Sequence, residues 1–269
     1  TRFKCDWSSD VCSSDLLSLG GALESKTQIA VLHSNLTLRS LALTTDELPA
    51  VDAIARHRSL RSLDVRVYLL RPGSVRATLE NVLSALPKLE DLAFSTHALA
   101  KDAKHMRQIV LPALKTLRWS AAFAPNVRAP MLESVAVQLQ LRDAQLLQPL
   151  LKLAPNLRTI SFDEEHGRFS SGNQFANSEQ SSLFLEGNVP RWPGLRKLQS
   201  LTFAFAASAI GIAAARGCFS KLRTLHISLF DVAAADVQRL LACTPLLENA
   251  RILRVQTTNN GVHEVRCWA

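Results

Sequence analysis

Leu157 to Phe162 reads LRTISF, apolar at its first, fourth and sixth places. Side chains along an extended segment alternate between two faces, so the fourth and sixth residues share one side. The first reaches that side from the preceding turn. The pattern recurs as LRSLAL from Leu38, LRSLDV from Leu60, LEDLAF from Leu89, LKTLRW from Leu114 and LESVAV from Leu132. Beyond Leu157 it continues as LQSLTF from Leu198, LRTLHI from Leu222 and, with Ala250 in first place, ARILRV. The nine copies start 22, 29, 25, 18, 25, 41, 24 and 28 residues apart. Most of these intervals fall in the range of about 20 to 30 residues needed by one strand, an outer segment and two corners.

A single strand of this kind cannot bury its apolar stripe. Stacked copies do so by pairing in parallel, with every stripe turned to one interior. The expected fold is α/β: a curved parallel sheet on the concave side, with helices or short turns on the convex side. Pro87, Pro112, Pro130, Pro155 and Pro245 each stand two residues before a leucine. There proline ends the outer segment and offers no N–H to a sheet.

The outer segments differ. Asp46 is expected to begin a helical run with Leu48, Val51 and Ile54 on one face, and His57 near its end reads as structural. Ser74 is expected to cap a helix carrying Val75, Leu79, Val82, Leu83 and Leu86. SAAFAPNVRAP, after LKTLRW, is short and rich in Ala and Pro, which predicts an extended segment or a single turn. Trp119, in a sixth place, is expected in the core. LRDAQLLQPLLKLAP has helical periodicity that Pro149 should bend or delay. Asp236 or Asp231 is expected to cap a helix with Val237, Leu240 and Leu241. The resulting division is a partial N-terminal repeat at 17–35, a repeat domain at 36–257 and a tail or truncated cap at 258–269. Within the domain, 164–193 is a Ser-, Asn- and Gln-rich insertion anchored by Phe169, Phe175 and Trp192. It reads either as a spacer or as a flap that orders on a partner.

Residues 1–16 stand apart. Asp6 to Leu16, DWSSDVCSSDL, resembles the translation of a short-read sequencing adapter. The segment is therefore expected to be non-native, the chain to be a metagenomic fragment, and the native N-terminus to be missing. Without it the chain keeps 29 basic and 20 acidic residues, a net +9. The basic residues are scattered rather than clustered, so neither nucleic acid nor a membrane is an expected partner. Cys218, Cys243 and Cys267 form no C-x-x-C pattern, and neither a disulfide framework nor a zinc site is expected. Their scarcity favours a cytoplasmic setting.

Nucleotide-binding glycine loops, H-E-x-x-H and G-x-S-x-G are all absent from the sequence. Asp163, Glu164, Glu165 and His166 lie together, but read as the solvated opening of the insertion rather than as a metal site. No catalytic residue, cofactor or metal is expected.

The hexads, helical outer segments and pre-strand prolines together resemble intracellular leucine-rich-repeat proteins, of the ribonuclease-inhibitor-like or F-box-associated type. The resemblance covers 36–255, although the asparagine usual after the strand in that family is absent. It implies a leucine-rich-repeat solenoid and protein binding on the concave sheet. The residues between the leucines, which alternation turns to that sheet, include Asp64, Arg66, Arg118, Gln138, Asp163, His226 and Arg254. The expected function is a monomeric, non-enzymatic interaction scaffold for a protein partner. The alternatives are the substrate-recognition part of an F-box ubiquitin-ligase receptor, or the repeat portion of a bacterial effector with a missing catalytic domain.

Overall fold

Each hexad becomes one strand of a single open sheet. The computed structural model describes residues 16–19, 25–34, 37–46, 48–68, 72–96, 106–121, 125–139, 150, 153–161, 196–206, 217–230, 234–258 and 261–268. The main strands are β1 (Leu16–Leu19), β2 (Ser40–Thr45), β3 (Ser62–Val67), β4 (Asp91–Thr96), β6 (Thr116–Ala121), β8 (Ser134–Leu139) and β9 (Thr159–Ser161). They continue as β10 (Ser200–Ala206), β11 (Thr224–Phe230), β12 (Asn249–Thr258) and β13 (Gly261–Trp268). They pair in that order, ten in parallel, and the eleventh, β13, runs antiparallel to β12. The two ends of the sheet do not meet, so it is not a closed barrel. This mostly parallel sheet is compatible with a repeat solenoid.

The corners explain the prolines. Leu89 N–H donates to Leu86 C=O at 3.2 Å, which closes a four-residue turn with Pro87 in second place. The same bond joins Leu114 to Leu111, Leu132 to Ala129, Leu157 to Ala154 and Leu247 to Thr244. Proline's fixed φ suits that second place. The equivalent turns at Leu60 and Leu222, closed onto His57 and Phe219, manage without it.

Beyond each corner the backbone locks to the previous repeat. Arg39 C=O accepts two N–H groups, from Arg61 at 2.7 Å and Ser62 at 2.9 Å. Every following hexad repeats the arrangement through its own second and third residues. At the far end Arg223 C=O takes Glu248 N–H at 2.8 Å and Asn249 N–H at 2.9 Å. The last hexad therefore begins at Leu247, as LENARI, three residues before the expected start at Ala250. Ala250 pairs with Leu225 in fourth place, and the interval from Leu222 shortens to 25 residues.

The interior holds the expected residues. Among the described positions the first leucines from Leu38 to Leu222 are buried, as are the fourth-place residues from Leu41 to Leu225. Trp119 and Phe94, in sixth places, are among the largest fully buried side chains. His57 is wholly buried in the corner that follows the 3-10 turn Ile54–Arg56.

Behind β1 to β4 lie helices α1 (Ser25–Ser34), α2 (Leu48–Ala53) and α3 (Pro72–Ser84), α1 packing on α2 and α2 on α3. α3 opens with Pro72, whose missing N–H costs nothing in a first helical turn. Ser74 is thus inside the helix rather than its cap, while Val75, Leu79, Val82, Leu83 and Leu86 are buried as expected. Residues 17–35, read as a partial repeat, supply most of β1 and the whole of α1, and Leu16 of the adapter-like segment starts that strand.

Further on, the outer layer changes to extended chain. β5 (Ile109–Val110) and β7 (Val127–Arg128) pair in parallel as a second, two-stranded sheet. Only 18 residues separate Leu114 from Leu132, too few for a strand, two corners and a helix. Glu80 on α3 accepts the Arg107 N–H at 2.9 Å, which ties that helix to the segment leading into β5. Among the described residues beyond β8, Leu150 is helical and a helix α4 spans Ala234–Ala242. Asp236 lies within α4, so it is not the cap; Leu240 is buried, whereas Leu241 is exposed. Residues 261–268, expected as tail, form β13. The insertion at 164–193 and most of LRDAQLLQPLLKLAP lie outside the described residues.

Candidate recognition surface

The open face of the sheet carries the residues at odd places of each hexad, held in rows by the strand register. The third-place row is Ser or Thr on each strand from β2 to β11 except for Asp91 on β4, and ends at Asn249 on β12. The fifth-place row passes Asp64, Ala93, Arg118 and Ala136 in register, and later Thr202, His226 and Arg251. Arg118 and His226 are exposed; Asp64 is half-buried. In the seventh-place row, Arg66 on β3 is exposed, with its Nε 3.7 Å from Asp64 Oδ1. Gln138 stands in register with Ser120 in the same row.

Arg254 does not belong with these residues. It pairs with Leu229, on the row parity of the buried Leu225, and Arg251 takes the place beside His226. The sequence was misleading because Ile252, Leu253 and Val255 offer apolar residues in either phase. Asp163, Phe169, Phe175 and Trp192 lie outside the described residues, so the structure unites Asp64, Arg66, Arg118, Gln138 and His226 on one sheet but does not place the others.

A second feature escaped the hexad reading, which skipped the second place. Where the strands begin, second-place residues form a column along the rim: Arg39, Arg61, Glu90, Lys115, Glu133, Arg158, Gln199, Arg223 and Glu248. From Arg61 onward their charges alternate except at Gln199, whereas Arg39 and Arg61 are neighbours of like charge. Arg61 Nη1 donates to Glu90 Oε1 at 2.9 Å, and Lys115 Nζ donates to Glu90 Oε2 at 2.6 Å. Arg158 lies 4.0 Å from Glu133, and Arg223 pairs with Glu248. The Lys115 hydrogen bond and charge, aided by Arg61, hold the Glu90 carboxyl below its usual range, and Glu90 in turn raises Lys115. Comparing second places across the aligned hexads would have exposed this column.

The face thus carries hydroxyls, small side chains and a few cations, Arg66 among them beside Asp64. Among the described residues no group of three or more His, Cys, Asp or Glu is placed to hold a metal ion. Among them, too, no helix is long and apolar enough to cross a membrane. No family model matches the chain, and no curated protein matches it.

Proposed function

We propose that this chain is a leucine-rich-repeat scaffold, not an enzyme, and that a protein partner seats on the open, concave face of its parallel sheet. The observation that supports the reading is the pairing of Arg66 and Arg118, both exposed, with rows of Ala, Ser and Thr on the same face. Small neighbours let a partner's backbone approach, and separated guanidinium groups supply bidentate donors for carboxylates. A partner presenting an acidic ridge fits this face best.

Selection of ligands from a displayed-peptide library tests the reading. Enriched ligands should be acidic, and the double variant Arg66→Glu/Arg118→Glu should weaken them by about tenfold or more. Ligands indifferent to both reversals would refute the assignment to this face.

A further inference from the structure

From Arg61 onward, the alternation of charge along the strand-entry rim lapses at one neutral place, Gln199. Gln199 N–H donates to Arg158 C=O at 2.8 Å, and Arg223 N–H donates to Gln199 C=O at 2.8 Å, so Gln199 stands directly between the two arginines. With strands about 4.8 Å apart, the arginine backbones lie about 10 Å from each other across it. Each guanidinium has its acidic partner on the far side, Glu133 for Arg158 and Glu248 for Arg223. Lys197 adds an exposed ammonium, with Nζ 3.0 Å from Asn156 Oδ1. Among the described residues, β9 to β11 and the turns that lead into them contain five lysines and arginines and no carboxylate.

We propose that this break is a docking slot for a single acidic side chain of a protein partner. The partner's Asp or Glu takes the place in the alternation that Gln199 leaves neutral, between Arg158 and Arg223 and within reach of the Gln199 amide. The proposal rests on the protein-binding reading and names a contact for it. A polyanion fits poorly: duplex nucleic acid carries a charge about every 1.7 Å along its axis, and Glu133 and Glu248 bound the slot on both sides. A lone carboxylate avoids both.

Gln199→Glu supplies the missing carboxylate from within the chain and so closes the slot. The probe is a fluorescein-labelled tetraglutamate peptide, titrated into the full chain at low ionic strength, where exposed charges are least screened. The expected result is binding that Gln199→Glu weakens by about fivefold with no loss of thermal stability. Asn81→Asp, the same charge change on the exposed side of α3, should leave binding within about twofold. Equal weakening by both variants would overturn the slot in favour of general electrostatics. So would absence of peptide binding, or duplex DNA that binds more tightly than the peptide and shows the same Gln199→Glu effect. Because Arg66 and Arg118 are unaltered, failure here leaves the open-face reading to its own test.

Discussion

The rings of Phe94 and Trp119 lie with centroids 4.9 Å apart, tilted by 43°. They occupy sixth places of consecutive hexads, and strands β4 and β6 pair them in register. Both are almost fully buried. The pair lies in the interior between the strands that follow α3 and β5. Trp119→Ala should therefore destabilise the fold by about 3–5 kcal/mol, as read from urea unfolding. A wild-type midpoint would show that the ring is not core.

The fourth places test the register more broadly. Leu117 and Leu225 are wholly buried. Leu117→Ala should cost about 2–5 kcal/mol. Leu225→Asp, which buries a charge among apolar neighbours, should prevent stable folding at ambient temperature. Circular dichroism melts distinguish these outcomes, and equal stability of wild type and Leu117→Ala would contradict the placement of that strand.

Glu90 gives the rim a pH signature. Its carboxyl is held below its usual 4.5, first by the Lys115 hydrogen bond and charge and then by Arg61. A lowered folded-state value means that its contribution is complete above about pH 4.5 and is lost as pH falls through the lowered value. Lys115 is raised above its usual 10.5, so its contribution is complete below that value and is lost as pH rises through the raised one. Glu90→Gln should lower the urea midpoint by a constant amount between about pH 6 and 9. The difference should shrink as the pH falls below about 4.5. A difference that persists unchanged at acid pH would mean that the ion pairs do not contribute.

Gly217 opens the turn that leads through Phe219 to Leu222, and its φ is 72°. No atom lies within 4 Å of where a Cβ would stand, so any cost of a side chain comes from the backbone. Gly217→Ala should destabilise by about 1–2 kcal/mol, measurable by thermal melts. A neutral result would indicate that the turn adopts another conformation at little cost.

Much of the architecture was legible because it depends on local periodicity. A first, fourth and sixth apolar place in LRSLDV or LKTLRW already states which side of the strand is buried, since strand alternation leaves no other arrangement. Proline two residues before a leucine likewise reports a turn, because its φ is fixed before any tertiary contact forms. The site was less legible. Alternation alone put Arg66, Arg118 and His226 on the exposed face, where the structure has them, but put Arg254 in the wrong phase.

For this protein the sequence by itself determined the period, the buried stripe and the parallel pairing, all consequences of geometry within a few residues. Tertiary structure decided what depends on neighbours distant in the chain. Ala250 and Leu247 were both possible starts for the last strand, and the backbone bonds from Glu248 and Asn249 to Arg223 chose between them. The outer layer became helix behind β3 and extended chain behind β6 according to the length of chain available between corners. The rim column is invisible in any one hexad: Glu90 meets Lys115 25 residues away only after stacking brings second places together. Charges separated along the chain interact once the sheet sets them side by side, because Coulomb attraction depends on distance in space and not on distance in sequence.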